Sequence, residues 1–546
     1  MTLHAITRRP LESEHFQVLV IGGGINGVAI ARRCARAGRR TLLVEQDDFA
    51  SGTTSRSTRL IHGGLRYLEH GEIGQVRESL RERELLLREH PHLVHPIQFL
   101  MALDGRSRRS ALQIRTGLWL YRRLGGAKFD LRGSLQEQRK LERFLDSGQQ
   151  WSIFDFEDAQ CEFPERLVAE WLVDAMKASA VVRNHTEVLA LDITNGRAKG
   201  ALLRDQLTGK EMRVEAGWII NATGPWVDKL CQRSRIRTHQ PLVGGVRGSH
   251  IVLPRFAGAP DAALYAEAVD HRPMFVIPWN DQVLVGTTEV PDHGDPARVE
   301  PTLEEIEYLL KSLLAILPHS KVSWEDIRYT FAGVRPLPFS PGRDPQAITR
   351  RHFLHDHAED GAARVISVVG GKLTTAAELA RQCAVKIGLT IKRQVAVATP
   401  IAESVDPMLD SWTLQVAHAA SISETSARAI AEWHGPRTVA IAQISRSSPE
   451  MRAQLCHHSE HIVAEAMDAF ATEAAVTLGD VLLRRVPVAL GGCWSEACSR
   501  EAATRIRAAM GWSDEQAAAE LEALETERTA FLRKPRVDMQ LEAAAD

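Results

Sequence analysis

The alternation of apolar and polar positions sets the first elements of this chain within fifty residues. A mainly apolar run at 16–21 enters a glycine turn, apolar positions then recur with helical spacing over 25–37 up to Gly38, and a second apolar run fills 41–44. Short runs bounded in this way read as buried parallel strands, and the stretch between them as a crossover helix. The segment Ala50-Ser-Gly-Thr-Thr-Ser-Arg-Ser-Thr58 has few apolar residues, which suits backbone lying against a ligand better than a packed strand. A helix is predicted over 74–89, with Leu80, Leu85 and Leu86 near one face. Within 106–124, Ile114, Leu118 and Tyr121 make an i, i+4, i+7 stripe, with Arg115 and Arg122 on the other side. Buried strands ending in glycine are predicted at 217–224 and 364–371, around a β-rich middle that includes 248–254 and 283–289. Thr302 with Glu305, and Thr375 with Glu378, have capping-box spacing; the first opens a helix with Ile306, Leu309, Leu310 and Leu313 on one face. From about residue 400 the chain is Ala-rich, reads as helical throughout, and is taken as a separate domain.

The first turn carries chemistry. Gly22, Gly24 and Gly27 have the G-x-G-x-x-G spacing between strand and helix, and Glu45 ends the next strand. The glycines give a tight turn, close backbone approach to a pyrophosphate and close helix–strand packing, and the acid suits a ribose diol. The helix N-terminus offers free N–H groups and a positive dipole end to the phosphates. Further glycine turns, at Ala222-Thr-Gly224 and Gly370-Gly371, end distant strands. Ligands in open parallel sheets sit outside the strands' carboxyl ends, so all three turns are expected to line one crevice. A dinucleotide gripped from so many segments points to a tightly held flavin. A helix starting just after Gly371 would stabilise negative charge that builds on the reduced ring.

Composition narrows the partners. With 546 residues the chain is too long for one core; its net charge of −2 gives no global attraction to nucleic acid or anionic lipid. Seven scattered cysteines without C-x-x-C pairs suggest a reducing compartment, without a disulfide framework or a metal site; Cys493 and Cys498 are the nearest pair. The polar segment 1–15, with Arg8, Arg9 and Pro10, lacks a signal-peptide core, and no uncharged run of about eighteen apolar residues exists. A cytoplasmic protein is expected, at most bound to the face of a membrane. The six arginines and absent acids of 106–124 give that helix two readings, a solvated basic face or a helix lying in anionic headgroups.

Motifs over about 16–387 make the chain resemble the FAD-dependent glycerol-3-phosphate dehydrogenases of the aerobic respiratory type, within the D-amino-acid-oxidase-like flavoproteins. A weaker helical likeness continues to about 520. The motifs are Ile21-Gly-Gly-Gly-Ile-Asn-Gly27, Leu60-Ile-His-Gly-Gly-Leu-Arg-Tyr-Leu-Glu-His70, Asn221-Ala-Thr-Gly-Pro-Trp-Val227, Gly248-Ser-His-Ile-Val252, Gly333-Val-Arg-Pro-Leu337, Pro345-Gln-Ala-Ile-Thr-Arg350 and Gly370-Gly-Lys-Leu-Thr-Thr375. The resemblance implies an α/β fold: a Rossmann-like FAD-binding domain (16–90 with 150–240 and 330–390), an inserted β-rich substrate domain (91–149 with 241–329) and an α-helical C-terminal domain (400–546). It implies oxidation of sn-glycerol 3-phosphate to dihydroxyacetone phosphate, with electrons passed through FAD to membrane quinone. It also implies peripheral binding to the inner, cytoplasmic membrane face through the basic amphipathic helix. A homodimer follows from likeness alone.

By match to these motifs, Arg66, Tyr67, His250, Arg335, Arg350 and Lys372 line a substrate pocket. The cofactor set extends from Gly22, Gly24, Gly27 and Glu45 to Thr54, Ser55, Ser57, His62, Gly63, Gly64, Leu65, Val188, Ala222, Gly224, Gly371, Leu373 and Thr374. Phosphate needs convergent cations, for which Arg forks and a Lys point charge are suited. Removing the C2 hydroxyl proton needs a base; His250 is favoured because an imidazole titrates near neutrality, and Lys372 competes if neighbouring arginines suppress its charge. Structural alternatives stay open: Arg66 paired with Glu69 or Glu72, Tyr67 in a core, His250 satisfied in a strand, Arg335 in a turn, Lys372 on the surface. Whether Arg350 or Arg351 faces the pocket is open too. Ala376-Ala377 replaces the family's usual Tyr-Arg, and Arg59 stands where lysine is common. Three other functions remain: a soluble oxidase using oxygen, an amino-acid or amine oxidase, and a non-catalytic flavoprotein.

Overall fold

The computed structural model describes residues 8, 11–12, 14–125, 134–390, 408–492 and 495–532. Expectations for Arg9, Pro10, Cys493 and the acidic end fall outside these residues. The first βαβ unit forms as read. Strand His15–Ile21 enters helix Ile25–Arg36, and strand Thr41–Val44 pairs parallel to the first. The helix buries Ile25, Val28, Ala29, Ile30 and Cys34 and packs between helices Pro164–Lys177 and Ala376–Lys386. Close packing depends on Gly27, where a Cβ would sit 1.8 Å from the carbonyl oxygen of Gly22.

Eight strands make the first sheet. Its main path runs Phe353–Asp356, Val365–Val369, Glu211–Asn221, His15–Ile21, Thr41–Val44, Val181–Arg183, and a hairpin of Thr186–Thr194 and Arg197–Asp205 pairs onto Glu211–Asn221. Register sets the site. Ile21 lies opposite both Val44 and Asn221, and Asn221 opposite Ser367, so neighbouring strands finish at one edge. The next residues along each strand are Gly22, Glu45, Ala222 and, three places beyond Ser367, Gly370.

A second, nine-stranded sheet is mainly antiparallel and stands against that edge. Strand Val243–Pro254 carries His250 and pairs along ten residues with Tyr329–Pro338, which carries Arg335. Three strands wholly or mostly inside the bounds expected for the cofactor domain, Leu60–Ile61, Ser152–Gln160 and Tyr329–Pro338, belong to this second sheet. Their reason is pairing: Ser152–Gln160 is hydrogen-bonded along its length to His95–Leu103. The Thr302–Glu305 capping box forms with both bonds, opening helix Leu303–Ile316. The box expected at Thr375 does not form. Glu378 turns instead to Arg81, Arg381 and Gln382, although a helix does begin at Ala376.

The C-terminal region is helical, from Leu409–Ala420 to Asp514–Phe531, with a π-helical turn at Asp480–Arg485. It is not a separate body. Its buried Phe470, Leu482 and Ile506 share one core with Val252, Leu284, Tyr329 and Phe331 from the second sheet. A polar clasp reinforces this. The Asp48 carboxylate accepts from Arg485 Nη1 and Nη2, both at 2.9 Å, and from Arg484 Nε at 2.5 Å. Arg166 and Glu473 form a second, fully buried pair at 2.6 and 2.8 Å. Among the described residues, no helix is long and apolar enough to cross a membrane.

Removing one member of a buried ion pair leaves the other charge uncompensated. Asp48→Ala is therefore expected to destabilise the protein by about 3–5 kcal/mol, read from urea or thermal unfolding; an unchanged midpoint would mean that the clasp carries no stability.

Candidate active site

A cleft of about 930 Å³ opens where the first sheet's strand ends face the second sheet. One end has the features of a dinucleotide grip. Gly22 and Gly24 line it at the start of helix Ile25–Arg36, whose first turn has no acidic residue to occupy the free N–H groups. Thr54 Oγ1 accepts from Ile25 N at 3.0 Å, fixing the 50–58 segment against the helix start. Ser55 and Ser57 also line the cleft while bonding back to Ala50 and Thr54 carbonyls. Glu45 accepts from Gly23 N at 2.6 Å and Asp47 N at 3.0 Å. Burial, and then the nearby Asp47 charge, push its carboxyl up to about 7. Polar groups from a ribose would relieve that burial. Val188, Ala222 and Gly224 form the adjoining wall.

Further along, Gly371, Leu373 and Thr374 meet His62, Gly64 and Leu65. Thr374 Oγ1 accepts from His62 N at 3.1 Å, tying the two loops together. Gly27 and Gly63 do not line the cleft. Gly27 packs beneath it, and Gly63 N donates to Asp158 Oδ1 at 3.1 Å. Asp158 also receives Tyr121 Oη at 2.8 and 2.9 Å and Arg83 Nη1 at 2.8 Å, so a buried polar knot fixes the His62-Gly63-Gly64 turn. The glycine turns, the helix start and the buried acid together fit FAD.

Beyond the turns the cleft becomes cationic. Arg66, Arg335, Arg350 and Lys372 all face it, with Tyr67 and His250 between them. Arg351 is exposed, so Arg350 is the pocket residue. Arg66 does not pair with Glu69 or Glu72; its Nη2 donates to Gln346 O at 2.9 Å and its Nη1 lies 3.8 Å from Glu289. Arg350 donates to the same Glu289 carboxylate, and its Nη1 is buried without a partner. Arg335 donates to Thr287 Oγ1 at 2.9 Å and Thr288 O at 3.2 Å. A Cβ at Gly248 would sit 2.3 Å from the Arg335 guanidinium and would push it out of this position. Burial, with the Arg350 and Arg66 charges working against Glu289, lowers Arg335 to about 10. Arg66 and Arg350 share one carboxylate, whose charge also reaches Arg335, an arrangement that an arriving dianion would complete.

The two base candidates differ. His250 is buried; its Nε2 lies 3.0 Å from Thr58 Oγ1 and its ring stacks on Phe331 with centroids 4.8 Å apart. Burial, then the Arg335 and Arg59 charges, lower it to about 3. The expectation that His250 titrates near neutrality is therefore not met; in this setting it is a neutral hydrogen-bonding group. Lys372 is held over the Tyr67 ring at 4.0 Å, and burial brings its amine down to about 7 despite Glu78 and Glu72. Gln75, with its amide oriented by the network, accepts from Lys372 Nζ at 2.5 Å and donates to Glu72 at 2.7 Å.

Sequence reasoning missed Glu289, Thr287, Thr58 and Asp158. None belongs to a glycine turn, and Glu289 and Thr287 reach the site only because their segment follows strand Gln282–Gly286, paired with the strand bearing His250. Arg59 is structural: it is buried, pairs with Glu165 at 3.0 and 3.1 Å, and lies over Trp279 at 4.5 Å. Ala376 is fully buried and Ala377 packs on the same core, so a tyrosine at 376 would meet that core.

The profile of the FAD dependent oxidoreductases matches residues 17–377, and that of the C-terminal domain of alpha-glycerophosphate oxidase matches 364–517. The chain is 36% identical over 499 residues to a glycerol-3-phosphate dehydrogenase of Synechocystis sp., covering 88% of this chain and 90% of that one. It is 38% identical over 377 residues to the D-erythritol 1-phosphate dehydrogenase of Brucella abortus, covering 68% and 73%. Among solved structures, the glycerol-3-phosphate dehydrogenase from Bacillus halodurans complexed with FAD superposes with a TM-score of 0.74 at 22% identity, over 95% of this chain and 96% of that one. At that identity the superposition speaks for the fold.

The Lys372 amine predicts a stability signature. Its pKa is lowered from 10.5 to about 7, so below pH 7 it is charged in both states and the folded protein bears the full burial penalty. As pH rises through 7 the folded amine is neutral while the unfolded chain keeps its proton, and the penalty fades, vanishing above 10.5. Lys372→Met should therefore raise the thermal midpoint of substrate-free protein most at about pH 6 to 7, with a gain that shrinks toward about pH 10. A gain independent of pH would refute the lowered amine.

Proposed function

Since this chain belongs to the FAD-dependent oxidoreductase family, we propose that its cationic pocket binds sn-glycerol 3-phosphate and that the chain oxidises C2 to give dihydroxyacetone phosphate. The observation that carries this reading is the convergence of Arg66, Arg335, Arg350 and Lys372 beside the glycine turns. An amino-acid carboxylate needs one such cation; a phosphate dianion uses several. FAD, when bound, supplies the acceptor for the C2 hydrogen and its electron pair. Gly22, Gly24, Glu45, the 50–58 hydroxyls and the 370–374 loop hold it.

The chain's own residues supply positioning and proton transfer. The three guanidiniums bind phosphate oxygens, with Arg66 and Arg350 also paired to Glu289. Lys372, neutral in part of its population near pH 7, takes the C2 hydroxyl proton as the C2 hydrogen departs. His250 stays neutral and hydrogen-bonds the substrate oxygen. Phe331 and Thr58 hold its ring in place.

Electrons leave to membrane quinone in this reading, and helix Ala111–Gly125 supports it. The helix buries only Ile114, Leu118 and Tyr121, leaving Leu112 75% and Trp119 66% exposed beside exposed Arg115, Arg122 and Arg123. Apolar and aromatic side chains ringed by arginines suit an anionic headgroup layer, where each cation adds about 1 kcal/mol. Two copies of the chain associating as a dimer is part of the same proposal.

Anaerobic mixing of flavin-loaded protein with glycerol 3-phosphate should bleach the flavin, whereas glycerol and D-alanine should not. Faster bleaching by erythritol 1-phosphate would reassign the polyol, and rapid peroxide release in air without quinone would favour the oxidase. Arg335→Ala should raise KM by about 10- to 100-fold with flavin retained. In kcat/KM, activity should rise through about pH 7 as Lys372 loses its proton. Lys372→Met should remove that limb and cost about 10²–10⁴ in kcat; a limb that survives there but vanishes in His250→Asn would make the imidazole the base.

For the membrane, the protein should sediment with anionic vesicles at low salt and be released by salt, and Leu112→Ser with Trp119→Ser should abolish retention. A protein that stays in the supernatant would refute this contact.

A further inference from the structure

We propose that His457, His458 and Cys498 form a binding site for a borderline-soft divalent cation of the zinc type, outside the flavin cleft and distinct from the oxidation chemistry. None of the three lines the cleft. Each offers a donor atom, and the three donors lie within 4.8 Å of one another.

Two elements build the site. The first is a tight turn, pinned by the antiparallel bridge between Gln454 and Ile462 and by Leu455 N donating to His461 O at 2.7 Å. Leu455, Cys456 and Ile462 are buried and anchor the turn, so His457 and His458 project at its tip, exposed. The second is helix Glu496–Met510, whose first turn carries Cys498 and, one turn on, Glu501. Cys498 is 1% exposed, with its sulfur 3.2 Å from His458 Nδ1. In a tetrahedral zinc site, bond lengths near 2.3 Å to sulfur and 2.0–2.1 Å to nitrogen put S and N roughly 3.5 Å apart. A shift of a few tenths of an ångström therefore converts this contact into ligation.

The next shell is present as well. Glu501 Oε2 accepts from His457 Nδ1 at 2.8 Å and from His457 N at 3.1 Å, while its Oε1 is held by Arg505 at 2.5 Å. A carboxylate behind a ligating imidazole fixes the tautomer and strengthens the other nitrogen as a donor. The His457 and His458 rings pack with centroids 3.9 Å apart, which keeps one donor nitrogen of each within 4.8 Å of the other and of the Cys498 sulfur. An N₂S donor set suits zinc-type cations and disfavours magnesium or calcium, which require oxygen. The His457 side chain is 60% exposed, leaving room for water as the fourth ligand.

Two other clusters do not compare. In His355, His357 and Asp360, both rings already share one Asp360 oxygen at 2.7 Å, and His357 Nε2 is taken by Ser367 at 2.7 Å. In His434, Asp468 and Glu473, guanidiniums of Arg166 and Arg437 occupy the carboxylates.

A bound cation would staple the 454–462 turn to the helix that buries Cys498 and Ile506 against the second sheet. The test uses tag-free, flavin-loaded full-length chain, freshly reduced and freed of reductant, titrated with Co²⁺. One equivalent should give a tetrahedral d–d band in the red, beyond flavin absorbance, with a thiolate charge-transfer band, and one equivalent of Zn²⁺ should remove both. Cys498→Ser should lose the charge-transfer band, and His457→Gln with His458→Gln, both on the surface, should lose the d–d band. Glu501→Gln should weaken binding by about 10-fold, and His355→Gln should change nothing. Zn²⁺ should raise the thermal midpoint of the parent chain and leave that of the double histidine variant unmoved. Binding below one equivalent, bands that persist in both variants, or bands lost in His355→Gln would overturn the assignment.

Discussion

The level register of the parallel strands is the constraint from which the rest follows. Because Ile21, Val44 and Asn221 are aligned partners and Ser367 joins them, residues far apart in sequence leave the sheet along one edge. Parallel pairing fixes that edge through backbone hydrogen bonds alone, and a slip of one residue would turn every buried side chain to the other face. The glycine turns inherit their positions from it. The cofactor grip is therefore preorganised by the core itself, with little left to loop flexibility.

The second sheet meets this edge with the opposite problem. Its Arg335 meets Arg66, Arg350 and Lys372, carried by turns beside the first sheet, in a partly buried space where like charges raise one another's energy. Glu289 offsets part of that for the arginines; burial, with the Arg350 and Arg66 charges, lowers Arg335 to about 10, and burial lowers Lys372 to about 7. The same electrostatic strain serves two ends. It makes an anion welcome, and it prepares an amine as a proton acceptor at working pH without any residue dedicated to activating it.

How much of this could be read from the chain depends on whether a feature is local. Gly22, Gly24, Gly27 and Glu45 could, because strand, turn, helix and acid are contiguous. The Ile114, Leu118 and Tyr121 stripe could as well, and those are the three residues the helix buries. The Thr302 capping box formed and the Thr375 box did not, because Glu378 found Arg81 on another helix, a partner that spacing along the chain cannot show. Glu289, Asp158 and Asp48 were invisible for the same reason: each acts on groups tens to hundreds of residues away on other elements. His250 lines the cleft, but its proton affinity depends on burial against Phe331 and on the Arg335 and Arg59 charges around it, and no local pattern reports that. Strands Ser152–Gln160 and Tyr329–Pro338 find their partners by pairing along their full length, a property of the folded sheet that no local pattern reports.

The C-terminal helices change texture in sequence, yet their packing ties them to the cofactor end of the cleft. Leu483, Arg484, Glu527 and Ala530 line it alongside Asp47, Asp48 and His185. Arg484 joins Asp48 to Glu527 at 2.5 Å each, and Asp480 holds both His185 and Asn184. Their apolar residues meanwhile pack on Tyr329 and Phe331, on the strand that bears Arg335. One domain thus braces the dinucleotide wall by ion pairs and the phosphate wall by apolar contact. Since buried pairs fail abruptly when one partner is lost while apolar packing gives way gradually, disturbance of the ion-paired clasp should reach flavin retention before it reaches substrate affinity.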